Sequence, residues 1–174
     1  MKILVVQNKM GIGDMIIYLP FIDAISKKFN TPVSILAKQS SKAEQFLKDH
    51  KNIKKIIILE QSNKLKGAKH QGFSGFINLV KDLRKHNFDK IFIFNSSLRF
   101  YLIAKCAGIK DIHQYSLFTK KNQHVVDTAK KFINQNLNLI VESDPKIFIN
   151  DKSVQNIKSK FKINNDQKNI LLGI

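Results

Sequence analysis

The sequence predicts one α/β domain in which helices flank a parallel β-sheet. Short aliphatic runs without polar alternation are typical of strands buried on both faces, and here they alternate with segments that are apolar at helical spacing. The first run also ends in a glycine-containing turn that leads into a helix. At 174 residues the chain is long enough for one full domain and too short for two ordinary ones.

The first run, Ile3 to Val6, predicts the central strand, and the polar residues 7–9 predict a turn after it. Gly11 and Gly13 follow, and glycines allow the backbone to approach a ligand closely. The next helix directs free N–H groups and a positive dipole end at that ligand, which favours an anion or a polyhydroxyl compound. Asp14 has two interpretations: the N-cap of the helix, or a carboxylate at the mouth of a cleft.

The same stretch argues against a nicotinamide-dependent dehydrogenase. The dinucleotide fingerprint needs a third glycine where this chain has Ile16. In addition, no acidic residue ends the second predicted strand, Val33 to Ala37, where the ribose of the cofactor would be held. We therefore expect no cofactor.

The remaining elements follow from periodicity and from glycine, proline and capping signals. In chain order they are a helix over about Asp14–Phe29 with a kink at Pro20, a strand over Val33–Ala37, a helix capped by Ser40 or Ser41 that ends near His50, a strand over Ile53–Leu59, a helix with a core face formed by Phe73, Phe76, Ile77, Val80 and Leu83, a strand over Asp89–Asn95, a helix from Leu98 to Gly108, a strand over Ile109–Tyr115 and a helix over His124–Asn136.

A long loop, Gln61 to Gly75, follows the carboxyl end of the third predicted strand, which is where α/β proteins bind ligands. Its basic residues Lys64, Lys66, Lys69 and His70 are candidates for contact with phosphate groups. The alternative is a solvated basic loop without a ligand.

Polar side chains also follow the fourth predicted strand. Asn95, Ser96 and Ser97 can donate and accept hydrogen bonds with sugar hydroxyls, and Arg99 is available for a carboxylate or a phosphate. The same residues are equally compatible with a capped turn.

His124 and Asp127 are three residues apart and lie on one face of the first turn of the last predicted helix. Two residues are too few for a metal site, so we expect Asp127 to cap the helix and keep His124 as a candidate contact for an acceptor. The single cysteine, Cys106, excludes an internal disulfide, and its apolar helical context predicts burial.

The net charge of +17 comes almost entirely from lysine, since Arg84 and Arg99 are the only arginines. The chain is also rich in asparagine and isoleucine, so compositional bias is one explanation of the charge. The functional alternative is attraction of phosphorylated acceptors or of an anionic membrane face. Nucleic acid is not expected, because specific readers use arginine forks and interleaved aromatic residues, and this chain has neither in such an arrangement. Neither a signal peptide nor a membrane span is predicted, which favours a cytoplasmic protein, peripheral to the inner membrane at most.

Three blocks carry a resemblance to a known family: KILVVQNKMGIGDMIIYLPFIDAISKKF at the start, Phe88 to Asn95 with the following Ser96-Ser97-Leu98-Arg99, and His124-Val125-Val126-Asp127. On these blocks the chain resembles the N-terminal half of the heptosyltransferases of bacterial lipopolysaccharide synthesis, which are inverting glycosyltransferases of the two-domain GT-B type. The resemblance implies a Rossmann-like domain at residues 1–145. It also implies that residues 146–174 are a linker and the first strand of a second, nucleotide-sugar domain.

The resemblance further implies that Asp14 is the catalytic base and that the acceptor is a lipopolysaccharide core or another glycan. The residues that we expect to contact this acceptor are Gly11, Gly13, Asn95, Ser96, Ser97, Arg99 and His124. The nucleotide-sugar donor would bind only with the second domain, and no metal is implied. Because the last predicted strand, Asn169 to Ile174, has no helix after it, we expect the chain to be the front half of a longer enzyme and inactive alone. The alternative is a non-catalytic module with a basic surface for anionic lipid or a protein partner.

Overall fold

A computed structural model describes residues 1–61, 67–116, 124–147 and 151–164. Its elements are β1 Ile3–Gln7, α1 Ile12–Lys28, β2 Val33–Lys38, α2 Ala43–Phe46, β3 Ile53–Leu59, α3 Gly72–Arg84, β4 Lys90–Ile93, α4 Leu98–Cys106, β5 Asp111–Gln114, α5 Val125–Leu137 and α6 Asp151–Phe161. The expected strand over Asn169–Ile174 lies outside these ranges.

The five strands form one parallel sheet in the order β3-β2-β1-β4-β5. The predicted fold class, a Rossmann-like parallel sheet flanked by helices, is therefore confirmed. β1 is the central strand and all five of its residues are buried, because helices cover both faces of the sheet. The chain leaves β1 toward β2 on one side and later returns to β4 on the other, so the strand order reverses between β1 and β4.

The alternating side chains of β1 divide the core into two layers. Ile3 and Val5 belong to the layer that includes residues of α1 and α5. Leu4 and Val6 belong to the layer under α3 and α4. Within the described ranges, no helix combines the length and the apolar character that crossing a bilayer requires.

The predicted core face of α3 is partly wrong. Phe73 is 81% exposed and Ile77 is 40% exposed, whereas Gly75, Leu79, Val80 and Leu83 are buried. The cause is a close approach of the preceding loop: a Cβ built on Gly75 would lie 2.1 Å from the carbonyl carbon of His70. The side of α3 that carries Gly75 packs against this loop, and Phe73 and Ile77 therefore lie at the surface.

Two other local predictions are also corrected. The helix expected to extend to His50 ends at Phe46 and follows a 3₁₀ turn, because Lys42 adopts a left-handed φ of 54° between the two. Ser41 spans this junction: its hydroxyl donates to the carbonyl of Lys38 and accepts a weak bond from the N–H of Ala43. Cys106 is exposed rather than buried.

Candidate functional site: the crevice at the carboxyl ends of β1 and β4

The carboxyl ends of β1 and β4 lie side by side where the strand order reverses. In open α/β sheets, ligands bind in the crevice that forms at this point. Two loops border it: residues 8–11, which lead into α1, and residues 94–97, which lead into α4.

Gly11 is the N-cap of α1, with φ 120° and ψ 155°. Other residues rarely adopt this backbone conformation, so the turn requires a glycine. Gly13 is exposed, and a Cβ placed on it would have no atom within 4 Å. The interpretation of Asp14 as the N-cap is wrong, because it is the third residue of the helix and makes no capping hydrogen bond. Its Oδ2 lies 3.8 Å from the position that a Cβ on Gly11 would occupy, so the carboxylate lies beside the turn.

Asp14 is half-buried, and within the described ranges its carboxylate has no hydrogen-bond or ion-pair partner. Asp14 also acts on the buried Tyr18: burial raises the pKa of Tyr18, a side-chain hydrogen bond with Tyr115 opposes this rise, and the negative charge of Asp14 adds to it. The first turn of a helix stabilises an anion there. Asp14 therefore presents a carboxylate beside the turn that borders the crevice, without a hydrogen-bond or ion-pair partner in the described ranges.

Asn95 connects the strands that border the crevice. Its Nδ2 donates to Oδ1 of Asn8 at 3.1 Å, and its Oδ1 accepts from the N–H of Ser97 at 2.8 Å. From β5, Nε2 of Gln114 donates to the carbonyls of Asn95 and Ser97 at 3.1 and 2.9 Å. The side chain of Asn95 is thus engaged in the turn, whereas the hydroxyls of Ser96 and Ser97 have no partner in the described part of the chain.

Arg99 connects α4 to the loop before α3. Its two terminal nitrogens donate to the carbonyls of Gly72 and His70, both at 3.0 Å, and its guanidinium lies 5.9 Å from the ring centre of Phe76. Both terminal nitrogens already have acceptors, so the structure gives Arg99 a role in fixing this loop.

His70 and Lys69 also stabilise the start of α3. The ring of His70 is 2% exposed, with Nδ1 accepting from the N–H of Glu60 at 3.0 Å and Nε2 lying 3.1 Å from Oδ2 of Asp82. Lys69 Nζ is 2.6 Å from the same oxygen. Burial raises the pKa of Asp82, but the hydrogen bonds from Lys69 and His70 outweigh burial and hold it at about 2. Lys64 and Lys66 lie outside the described residues.

His124 is the N-cap of α5, and its Nδ1 accepts from the N–H of Val126 at 3.4 Å. The expected capping role of Asp127 therefore belongs to His124. The ring of His124 is exposed. In sequence, α5 is the next element after β5. Within the described ranges, no three His, Cys, Asp or Glu residues gather into a metal site.

Sequence reasoning missed Gln7. The sequence predicts a turn at residues 7–9, but Gln7 is the last residue of β1 and is 0% exposed. Neither Nε2 nor Oε1 of its amide has a hydrogen-bond partner in the described part of the chain. The sequence offers one indication of this: Gln7 is two residues after Val5 and four after Ile3, so on a continued strand its side chain would lie on the same face as theirs.

The sheet order and the glycine turn at its switch point define a doubly wound α/β domain with the fold of solved glycosyltransferases. The structure of a family 9 glycosyl transferase from Veillonella parvula aligns over 95% of this chain and 51% of its own, with a TM-score of 0.69 and 17% identity. ADP-heptose lipopolysaccharide heptosyltransferase II of E. coli aligns over 95% and 52%, with a TM-score of 0.61 and 15% identity. E. coli heptosyltransferase WaaC with ADP aligns over 84% and 49%, with a TM-score of 0.53 and 16% identity.

The chain thus spans about half the length of the solved structures that it resembles. The resemblance to heptosyltransferases is confirmed at the level of the fold. Neither a protein-family model nor a curated protein sequence matches the chain.

Proposed function

We propose that this chain is the acceptor-binding half of an inverting glycosyltransferase. The complete enzyme would transfer heptose or a related sugar from a nucleotide diphosphate donor to a hydroxyl of a lipopolysaccharide core or another glycan. The observation that supports this most directly is the half-buried carboxylate of Asp14, unpartnered within the described ranges, at the first turn of α1 beside the switch point of the sheet.

In the proposed reaction the acceptor oxygen attacks the anomeric carbon of the donor while Asp14 takes the hydroxyl proton. The new carbon–oxygen bond forms on the face opposite the breaking bond, and the nucleotide diphosphate leaves with the electron pair of that bond. A carboxylate is a weak base toward an alcohol, so the rate depends on its positioning and on the exclusion of water. The acceptor is suited by the hydroxyls of Ser96 and Ser97, which are unpartnered within the described ranges, by the backbone at Gly11 and Gly13, and by the exposed ring of His124.

Asn95 and Arg99 have a different place in the proposal. Both were candidates for direct contact, but their polar groups are largely engaged in hydrogen bonds to neighbouring loops. We assign them the support of the crevice wall. The division into residues 1–145 and 146–174 remains part of the proposal, and it is supported by α6, in which no described side chain is buried against the domain.

A transfer assay tests the proposal. The 174-residue chain is incubated with ADP-heptose and a deacylated lipopolysaccharide core oligosaccharide, alone or joined to a donor-binding half. We expect no product from the chain alone, because a site for the departing diphosphate is assigned to the other half, and product formation from the joined protein. Turnover by the isolated chain contradicts this division of labour, and the absence of product from both contradicts glycosyl transfer.

A second candidate function, docking on an anionic membrane face, is favoured by one surface. Phe73 and Ile77 on α3 and Leu98 and Leu102 on α4 are exposed, and we call these four residues the apolar stripe. The two helices are held together by hydrogen bonds from Arg99 and Arg84. Exposed lysines on later turns, Lys81 and Lys105, place positive charge beside the apolar side chains. This combination suits a bilayer surface that contains anionic lipid and would place the protein on the cytoplasmic face of the inner membrane.

Replacing both Phe73 and Leu98 by aspartate is expected to weaken binding to vesicles of phosphatidylglycerol and phosphatidylcholine by roughly tenfold or more, because two inserting side chains become charged. Co-sedimentation measures the effect. Ile140→Asp is the matched control, since Ile140 is 96% exposed and lies outside the apolar stripe. Unchanged vesicle binding by the double variant contradicts the docking surface. A wild-type dimer that the double variant loses in gel filtration assigns the stripe to a second copy instead.

A further inference from the structure

The side chain of Gln7 is the least satisfied polar group in the described part of the molecule. It is 0% exposed, and both its donor nitrogen and its acceptor oxygen lack partners. Buried polar side chains nearly always have a hydrogen-bond partner, since leaving one unpaired opposes folding. A methionine of similar shape would fill the same space without this penalty. Stability therefore does not explain why a glutamine occupies this position.

The position of Gln7 suggests what that explanation is. Two other buried amide oxygens, Oε1 of Gln71 and Oε1 of Gln114, also lack a hydrogen-bond partner in the described part of the chain. Gln7 ends β1, Gln114 ends β5 and Gln71 precedes α3. All three therefore lie at the carboxyl edge of the sheet, where parallel α/β proteins bind their ligands.

The side chain of Gln7 faces the side of the sheet that is covered by α1, the helix that carries Asp14. Side chains alternate along β1, so Gln7 points to the same side of the sheet as Ile3 and Val5, the side covered by α1 and α5. On that side Tyr18 and Tyr115 both pack against Phe94. The ring centroid of Phe94 is 5.1 Å from that of Tyr18 and 5.8 Å from that of Tyr115. Tyr18 is also the buried residue on which the charge of Asp14 acts.

We infer that the amide of Gln7 is a sugar-binding group, which pairs with hydroxyls of the acceptor beside Asp14. An amide offers one acceptor and two donor hydrogens without charge, which matches hydroxyl groups that both donate and accept. A phosphate or carboxylate ligand would favour lysine or arginine at this place instead. This inference rests on the proposed glycosyltransferase function and deepens it.

The burial of Gln7 means that the sugar reaches it only when the turn before α1 moves. Two features permit that movement. The turn contains Gly11 and Gly13, and Pro20 inside α1 has no N–H to donate to the carbonyl of Ile16. The first turns of α1 are therefore held less firmly to the rest of the helix than in an uninterrupted ladder.

Gln7→Met tests the inference, with two measurements on the 174-residue chain. The melting temperature without ligand is expected to rise by about 3 °C, because an unpaired buried amide is removed. The dissociation constant for a deacylated lipopolysaccharide core oligosaccharide, measured by calorimetry, is expected to increase roughly tenfold, because two hydrogen bonds to the sugar are lost. Gln114→Met is a control for the stability measurement only: its Nε2 makes two hydrogen bonds, so this variant should melt at a lower temperature.

The combination of outcomes decides the inference. A higher melting temperature with weaker oligosaccharide binding supports it. Unchanged binding overturns it, as does a fall in both stability and affinity, since a damaged fold then explains the lost binding; no binding by the wild-type chain overturns it as well. If Gln7→Met weakens binding while Asp14→Asn leaves transfer intact in the joined protein, the inference stands and the catalytic proposal fails.

Discussion

Replacing Asp14 by asparagine is expected to reduce sugar transfer by about 10²- to 10⁴-fold while the domain remains folded. The range is that of a lost general base in the transition state. The fold should persist because within the described ranges the Asp14 carboxylate makes no hydrogen bond or ion pair, and asparagine has nearly the same shape. The measurements are kcat of the chain joined to a donor-binding half and the melting temperature of both proteins.

Asp127→Asn is the matched control for this experiment. Asp127 is also an acidic residue in the first turn of a helix, α5, and it is exposed. Both substitutions remove a favourable interaction with a helix dipole, worth about 0.3–1 kcal/mol, but only Asp14 borders the crevice. If Asp14→Asn keeps most of its activity, or if both variants lose activity equally, Asp14 is not the base and the domain is better described as a binding module.

Replacing Gly75 by alanine is expected to destabilise the domain by roughly 3 kcal/mol and to lower its melting temperature by about 6–12 °C. Alanine normally stabilises a helix interior relative to glycine, by up to about 1 kcal/mol. Here the added Cβ would lie 2.1 Å from the carbonyl carbon of His70, so backbone has to move. That movement would also disturb the hydrogen bond that the same carbonyl accepts from Arg99.

Gly13→Ala is the control, because Gly13 is also helical and a Cβ there meets nothing within 4 Å. We expect Gly13→Ala to leave stability unchanged or to raise it slightly, and thermal unfolding followed by circular dichroism measures both variants. Equal stability changes in the two variants would show that the loop does not press on α3, and the explanation given for the exposure of Phe73 would then be wrong.

The three inner strands, β1, β2 and β4, could be predicted from the sequence because they are mainly runs of apolar residues, the pattern typical of strands buried on both faces. The phase of α3 could not be predicted in this way. Phe73 and Ile77 have the right spacing for a core face, but the contact between Gly75 and His70 is tertiary and decides which side turns inward. Periodicity contains no information about a loop that packs against the helix from outside.

The candidate site was predicted in part for a similar reason. The position of Asp14 follows from local signals, a glycine turn between a strand and a helix. The engagement of Arg99 with the carbonyls of His70 and Gly72 depends on residues distant in sequence, and so does the isolation of the Gln7 amide. Neither could be derived from spacing.

The hydrogen bonds that connect Asn8, Asn95 and Gln114 have a consequence for how the crevice adapts to its occupant. They fix the wall formed by β4 and β5 against β1, whereas the opposite wall is a glycine turn on a proline-interrupted helix. If the proposed function holds, glycan acceptors of different size would be accommodated by displacement of one wall only. Selectivity among acceptors would then reside in side chains on the rigid side, such as Ser96, which can change without altering the backbone that presents them.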